Sequence, residues 1–225
     1  MPQWDPISKR FPGEPNVCGF LHRATNGSDG LVLTHGAGAN CNSSLLIALA
    51  EEFSQHGVTV LRCDLPFRQQ RPHGPPLGTS GLDQQGIRKA GEVLRKAVSG
   101  RVFLGGHSYG GRMATMLAAT DSSIADGLLL LSYPLHPPKK PHQLRTAHFP
   151  QLRIQCLFVH GTRDSFASTG EMESALKLIQ AETTLLSIEG AGHELASKKK
   201  SDQGIRDSAA LAGRIVSKFL EMWNR

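Results

Sequence analysis

Long apolar runs are missing from this sequence of 225 residues. A membrane-spanning helix needs about 18 or more consecutive apolar residues, and no stretch of the chain approaches that length. Residues 1–15 also lack the apolar segment of a secretory signal. With 39% hydrophobic and 20% charged residues, the composition is typical of soluble globular proteins. These features predict a cytoplasmic protein with no membrane partner.

Cysteine pairs and metal-binding motifs are also missing. The ten histidines form no H-x-H or H-E-x-x-H pattern, and the cysteines form no C-x-x-C pattern. Scattered cysteines of this kind predict free thiols rather than disulfides or a zinc site. We therefore predict no metal and no cofactor. The four cysteines are Cys18, Cys41, Cys63 and Cys156.

Clustered charge, repeats and linkers are equally scarce. The net charge is +6, but the basic residues are dispersed, and their only run, Lys198–Lys200, falls in a predicted surface loop. A nucleic-acid-binding surface concentrates its positive charge, so no nucleic-acid partner is predicted. Without a linker or repeat, residues 1–225 are interpreted as one domain, with the proline-rich residues 1–16 as an irregular lead-in.

Short apolar segments alternate with stretches of helical periodicity along the rest of the chain. This alternation is typical of an α/β fold, with a mostly parallel central sheet and helices on both faces. Ligands of such sheets bind beyond the carboxyl ends of the strands. The predicted strands are Val17–Ala24, Leu31–Thr34, Val58–Cys63, Val102–Leu104, Gly127–Ser132, Cys156–His160 and Thr184–Ile188.

One strand runs into the pentapeptide Gly106-His107-Ser108-Tyr109-Gly110, and a helical pattern follows it. This G-x-S-x-G pattern between a strand and a helix is typical of a nucleophile elbow, a strained turn that exposes a serine hydroxyl. Small neighbours are needed because the backbone bends sharply there. Ser108 is therefore the candidate nucleophile.

Two further polar residues follow later strands. Asp164 comes after the strand that ends at His160, and His193 comes after the strand that ends at Ile188. A serine hydroxyl needs an imidazole to accept its proton, and the imidazole needs a carboxylate to orient it. The chain order Ser108, Asp164, His193 is that of α/β-hydrolases, so we predict that these residues are catalytic.

The small-residue loop after the strand Leu31–Thr34 supplies the remaining component of the predicted site. Hydrolases with a nucleophile elbow stabilise the oxyanion with one backbone N–H from an early strand–helix loop and one from the residue after the nucleophile. In this sequence the two amides are predicted to be those of Ala37 and Tyr109.

Several basic residues are harder to interpret. Arg112 falls in the first turn of the elbow helix, where the helix dipole disfavours a cation, so we expect it to pair with a buried acid or a ligand. The segments Arg68–Ser80 and Lys139–Pro150 are predicted to be irregular, and the first is too rich in proline for a helix. We interpret their positive charges as a solvated basic rim rather than an anion site. The role of either loop is not predicted.

The motifs LVLTHGAGAN, FLGGHSYGGRMA, LLLSYPLHPPKKPHQLR, LFVHGTRDSF and EGAGHEL resemble those of small α/β-hydrolases related to dienelactone hydrolases. The group includes uncharacterised bacterial proteins and a testis-expressed vertebrate relative. The resemblance runs from about Val17 to the C-terminus. It implies an α/β-hydrolase fold with an eight-stranded type of sheet, a triad of Ser108, Asp164 and His193, and no metal. Dienelactone hydrolases carry a cysteine at the elbow, where this chain has Ser108.

The predicted function is that of a serine hydrolase acting on a small-molecule acyl substrate with an ester, thioester or lactone-type carbonyl. The segment between Tyr133 and Cys156 is too short for a helical lid domain, which predicts an open cleft. A small peptidase is an alternative, because the same triad cleaves amides. A non-catalytic interaction or scaffold module is another, because a fold does not fix its function. Neither the substrate nor the oligomeric state is predicted.

Overall fold

A computed structural model describes residues 4–77, 80–195 and 202–223. Its centre is an eight-stranded sheet with the strand order β1-β2-β4-β3-β5-β6-β7-β8. The strands are β1 (Asp5–Phe11), β2 (Glu14–His22), β3 (Asp29–Thr34), β4 (Val58–Cys63), β5 (Val102–His107), β6 (Leu128–Leu131), β7 (Cys156–Gly161) and β8 (Thr183–Ile188). The helices are α1 (Ser44–Gln55), α2 (Pro66–Gln70), α3 (Ser80–Arg95), α4 (Tyr109–Thr120), α5 (Thr169–Leu176) and α6 (Asp202–Trp223).

The strands β3 to β8 are parallel, and the runs of β3 to β7 are buried on both faces. Side chains alternate between the two faces of a strand. Val32 and Leu104 therefore join the core beneath α3 and α4, whereas Leu33 and Phe103 join the core beneath α1 and α6. Burial on both faces explains why these strands are apolar throughout. The predicted mostly parallel sheet is confirmed.

The interpretation of residues 1–16 as an irregular lead-in is wrong. Asp5–Phe11 is an edge strand, antiparallel to β2, and Gly13, at a φ of 75°, lies in the turn between them. Pro6 is compatible with an edge strand because one side of its backbone has no neighbouring strand to bond. Ile7 and Phe11 pack against the core, while most other side chains of β1 face solvent.

The segments Arg68–Ser80 and Lys139–Pro150, whose roles were not predicted, differ from each other in structure. Residues 68–70 are the end of α2, which begins with Pro66, so the predicted non-helical segment begins at residue 71 instead of Arg68, and residues 71–77 are not helical, as predicted. Proline is compatible with the first helical turn because no N–H is needed there. Between β6 and β7, where every residue is described, the chain forms only a 3₁₀ turn, Phe149–Gln151, and contains no lid domain. Lys198–Lys200 lies outside the described residues.

Within the three described ranges, no helix is long and apolar enough to cross a membrane.

Candidate active site

Ser108 occupies a sharp bend between β5 and α4. Its backbone has a φ of 51° and a ψ of −111°, a conformation that is rare outside glycine. The Ser108 amide donates to the Leu131 carbonyl at 2.8 Å, which anchors the bend to the neighbouring strand. A Cβ on Gly106 would lie 2.5 Å from Thr34 Oγ1 and 2.7 Å from the Gly110 carbonyl carbon. The flanking glycines are therefore required by close backbone packing.

The predicted residues Ser108, His193 and Asp164 meet at this bend. The Ser108 hydroxyl lies 2.8 Å from Nε2 of His193, and Nδ1 of His193 lies 2.8 and 3.0 Å from the two Asp164 oxygens. An ionised carboxylate only accepts hydrogen bonds, so Nδ1 donates to it and Nε2 is free to accept from the hydroxyl. The Asp164 side chain is fully buried, and that of His193 is 16% exposed. This arrangement can move a proton from the serine to the imidazole.

Two neighbours that sequence reasoning missed hold the imidazole in place. The Phe166 ring stacks on His193 with a centroid distance of 4.0 Å, and the Phe166 amide donates to Asp164 at 2.8 Å. His107 Nε2 donates to the His193 carbonyl at 2.8 Å. Burial lowers the pKa of His107, which favours the neutral ring. His107, the first variable residue of the G-x-S-x-G pattern, therefore anchors the loop that carries His193.

The loop carrying Ala37 lies against the start of α4. The Gly110 amide donates to the His35 carbonyl at 3.2 Å, and a Cβ on Gly36 would lie 2.9 Å from His107 Nδ1. Tyr109 is the first residue of α4, and N–H groups in the first turn of a helix have no intrahelical acceptor. Both predicted oxyanion amides therefore belong to backbone segments that meet beside Ser108.

Arg68 ties this loop to α2. The side chain is buried and donates to the carbonyls of Ala37 at 2.6 Å and Ala39 at 2.8 Å. It also donates to the carbonyls of Arg71 and Gly74, both at 3.0 Å. The interpretation of the positive charge of Arg68 as part of a solvated rim is therefore wrong. Four carbonyl oxygens satisfy the guanidinium inside the protein.

A second connection joins α2 to Tyr109. The Tyr109 hydroxyl donates to the buried carboxylate of Asp83 at 2.7 Å, and the Phe67 amide donates to the other oxygen of that carboxylate at 3.0 Å. The Phe67 ring packs edge-on against Tyr109 and His35, with centroid distances of 5.5 and 5.6 Å. Because Arg68 and Phe67 are adjacent, α2 links the two backbone segments that carry the predicted oxyanion amides.

The carboxylate of Asp64 makes structural contacts with a backbone amide and with His35. It accepts from the Cys41 amide at 2.7 Å and lies 3.6 Å from His35 Nε2. The His35 ring donates from Nδ1 to the Gly36 carbonyl at 2.8 Å, and its Nε2 accepts from the Leu65 amide at 3.1 Å. Burial lowers the pKa of His35, so it acts as a neutral bridge between loops.

The four cysteines are free thiols, as predicted. Burial raises the pKa values of Cys41 and Cys156 to about 12, which keeps both as thiols at neutral pH. In the part of the chain that the structure describes, no group of three or more His, Cys, Asp or Glu side chains is arranged to hold a metal ion.

Solved structures with the same fold span nearly the whole chain. The dienelactone hydrolase from Anabaena variabilis is 21% identical, with 96% of this chain and 98% of that chain covered and a TM-score of 0.73. Est1E from Butyrivibrio proteoclasticus is 16% identical over 98% of this chain and 99% of that chain, with a TM-score of 0.74. A lid-less α/β serine hydrolase from Xanthomonas campestris is 14% identical over 97% and 96% of the two chains, with a TM-score of 0.67.

Family membership rests on a separate match. The model of a family described as an alpha/beta hydrolase domain matches residues 27–221, which include β3 to β8 and every residue of the candidate site. The resemblance read from the sequence motifs is thereby confirmed at the level of the family, and membership supports a hydrolytic function. This chain belongs to the α/β-hydrolase family.

Proposed function

We propose that this chain is a serine hydrolase that cleaves an ester, thioester or lactone-type carbonyl through an acyl-enzyme. The observation that carries the proposal is the continuous hydrogen-bonded chain from the Ser108 hydroxyl through His193 to the buried Asp164, with each link at 2.8 Å. A serine in this relation to an imidazole and a carboxylate is activated for attack on a carbonyl. The strained backbone of Ser108 supports the same role.

The reaction follows from the positions of these groups. His193 Nε2 removes the hydroxyl proton while Ser108 Oγ forms a bond to the carbonyl carbon, and the negative charge moves to the carbonyl oxygen. The amides of Ala37 and Tyr109 donate to that oxygen. When the intermediate collapses, the bond to the leaving group breaks and the imidazolium returns its proton to that group. Water then repeats the sequence, releases the acid and restores the serine.

The described segment between β6 and β7 contains no lid domain, which favours small acyl substrates over long lipid chains. The similar structures include a dienelactone hydrolase and Est1E, which has also been solved with ferulic acid bound. A peptidase remains the second enzymatic candidate, since the same residues attack amides. An interaction module would have no need to keep three competent side chains within hydrogen-bonding distance.

The first test is covalent labelling of the purified protein with a fluorophosphonate probe, followed by intact mass. We expect one adduct, formed at the serine that the imidazole activates. Ser108→Ala should abolish the adduct. The matched control is Ser132→Ala, because Ser132 is also a buried serine with a positive φ of 47°, next to the end of β6, but its hydroxyl has no hydrogen-bond partner among the described residues. That control should be labelled like the wild type.

The second arm measures turnover of p-nitrophenyl acetate. His193→Gln and Asp164→Asn should each lower kcat by a factor on the order of 10³ to 10⁶. Folding of each variant is checked by circular dichroism and thermal unfolding. A folded wild-type protein that takes no label and cleaves no ester, thioester or lactone would overturn the proposal and favour an interaction module.

A further inference from the structure

Near its end, β7 carries an imidazole on a face that is otherwise apolar. Side chains two residues apart lie on the same face of a strand. His160 therefore shares its face with Cys156 and Phe158, which belong to the apolar core beneath α3 and α4. The His160 side chain is 1% exposed. A polar ring in such surroundings lowers stability unless it is hydrogen-bonded, so the contacts of its two nitrogens decide what it can do there.

One ring nitrogen of His160 closes the turn that follows β7. Its Nε2 lies 2.9 Å from the Ala167 carbonyl oxygen, and this buried contact joins residues seven positions apart. A carbonyl oxygen only accepts hydrogen bonds, so Nε2 carries a proton and donates it. The bond ties the end of the strand to the residue before Ser168, the N-cap of α5.

The turn closed in this way carries two groups that surround His193. The Asp164 amide donates to the Gly161 carbonyl at 3.0 Å, and the Asp164 carboxylate accepts from the Phe166 amide at 2.8 Å. The same carboxylate accepts from His193 Nδ1, and the Phe166 ring stacks on the imidazole. The shape of the turn therefore determines where the carboxylate and the ring meet His193.

The other ring nitrogen of His160 faces the carboxylate without bonding to it. Nδ1 lies 3.9 Å from Asp164 Oδ2, which is too far for a hydrogen bond, and it has no hydrogen-bond partner among the described residues. An unpaired buried nitrogen lowers stability, and an apolar side chain at this position would avoid that loss. Packing alone therefore does not account for a histidine here, whereas the bond to the Ala167 carbonyl does.

We infer that His160 is a positioning residue: through its bond to the Ala167 carbonyl, it fixes the turn that presents the carboxylate and the aromatic ring to His193. The inference rests on the proposed hydrolase function and adds a residue that supports its general base. His160 acts through the turn and not on the reacting atoms.

The test measures kcat and KM for p-nitrophenyl acetate in two variants of His160. His160→Asn has a shorter side chain, so its amide cannot reach the Ala167 carbonyl. We expect kcat to fall about 10- to 100-fold, because a misplacement of about 1 Å in a catalytic constellation costs a rate of this order. KM should change much less. His160→Gln places an amide donor close to the position of Nε2 and should recover most of the lost kcat.

The matched control is His148→Asn. His148 is also a histidine whose Nε2 makes a hydrogen bond inside the protein, at 2.8 Å to the Thr115 hydroxyl. That bond joins the segment between β6 and β7 to α4, so its loss leaves the bonds of the turn after β7 in place. The control should keep the wild-type kcat.

A readout without turnover is the proton that His193 Nδ1 donates to Asp164, which proton NMR detects as a strongly deshielded resonance. His160→Asn should broaden or remove this resonance, because the carboxylate is no longer held in place. His160→Gln and His148→Asn should retain it.

The outcomes separate this inference from the proposed function. If the wild type is labelled at Ser108 but kcat is equal in His160→Asn and His160→Gln, the positioning role alone is overturned. Absence of any label on folded wild-type protein would overturn the hydrolase, and the NMR resonance would then decide the role of His160 by itself. Should His160→Asn fail to fold, His160→Phe, which keeps a ring without a donor, replaces it, and an unchanged kcat and resonance there would overturn the inference.

Discussion

Arg68 shows how a buried charge can serve a site without touching the reacting atoms. Its guanidinium donates to the carbonyls of Ala37 and Ala39 and to two carbonyls of the segment after α2. Each bond involves a charged donor in a water-poor environment, where such bonds are stronger than those between neutral groups. The loop that carries the predicted Ala37 amide is therefore held in part by this one side chain.

We predict that Arg68→Gln lowers kcat at least tenfold and changes KM much less, because an oxyanion donor acts in the transition state. Arg68→Lys should recover part of the loss, since a lysine keeps the charge but cannot reach all the carbonyls at once. Steady-state kinetics with p-nitrophenyl acetate measures both values. Arg71→Gln is the control, because Arg71 is exposed and only its backbone carbonyl accepts from Arg68. An unchanged kcat in folded Arg68→Gln would contradict the positioning role.

Some residues of the candidate site could be predicted from the sequence, and others could not. Ser108, Asp164 and His193 were predicted, and the structure brings them together, because each follows a strand and their order matches a known pattern. Arg68 and Phe166 carry no such signal, since their partners are distant backbone groups or a ring that only the folded chain brings near. Among the described residues no carboxylate pairs with Arg112, which could likewise not be read from the chain. Sequence reasoning only led us to expect an acid or a ligand there.

Among the helices, α6 illustrates why apolar residues that recur at helical spacing predict a helix. Its apolar residues recur on one stripe and pack on the sheet face that also receives α1. Phe219 lies at the centre of this contact, with ring centroids 4.9 Å from Phe53, 4.8 Å from Phe103 and 4.4 Å from Trp223. Most of the stability of such a helix comes from packing of its apolar face rather than from intrinsic propensity.

We expect Phe219→Ala to lower the free energy of unfolding by about 3 to 5 kcal/mol, the range for removing a buried aromatic ring. Urea unfolding followed by tryptophan fluorescence measures the change. Ser217→Ala, at an exposed position of the same helix, serves as the control and should stay within about 0.5 kcal/mol of the wild type. If Phe219→Ala and the wild type had the same midpoint of urea unfolding, α6 would add little to stability.

The strand that the sequence failed to reveal was β1, whereas the predicted strand Val17–Ala24 overlaps β2. Proline-rich composition suggested irregular backbone, yet Pro6 lies on an edge strand where no ladder bond is lost. The parallel strands were easier to recognise, because a strand buried on both faces is apolar along its whole length. Edge strands lack that signal, since most of their side chains face water.

Stability of the whole molecule should depend on pH through buried histidines. His22 is buried, and its Nε2 accepts from Arg62 Nε at 2.8 Å, so the ring must be neutral in the folded state. Burial and the charge of Arg62 lower the pKa of His22 from 6.5 to about 4. The unfolded chain therefore binds a proton that the folded protein does not between these two pH values. The contribution of neutral His22 to stability is therefore complete above pH 6.5 and is lost as the pH falls towards 4.

A single histidine with this shift lowers the free energy of unfolding by up to about 1.4 kcal/mol per pH unit in that window. Urea unfolding of wild type and His22→Gln at pH 7.5, 6.0 and 5.0 tests the prediction, because glutamine offers an acceptor oxygen and does not titrate. The variant should lose less stability on acidification than the wild type. His56→Gln is the control, since the His56 side chain is 47% exposed. If the free energy of unfolding decreased equally with pH in His22→Gln and in the wild type, His22 would be excluded as the cause of the pH dependence.

The positions of Ser108, Asp164 and His193 along the chain also determine the order in which the parts of the site are synthesised. The elbow is built from β5, α4 and the neighbouring β6, whereas His193 follows β8 and is held by His107 and Phe166. A chain growing from its N-terminus completes the elbow more than 50 residues before the imidazole is synthesised. The Ser108 hydroxyl can therefore meet the His193 imidazole only after β8 and the residues that follow it have been synthesised. Synthesis itself thus delays the assembly of the candidate site.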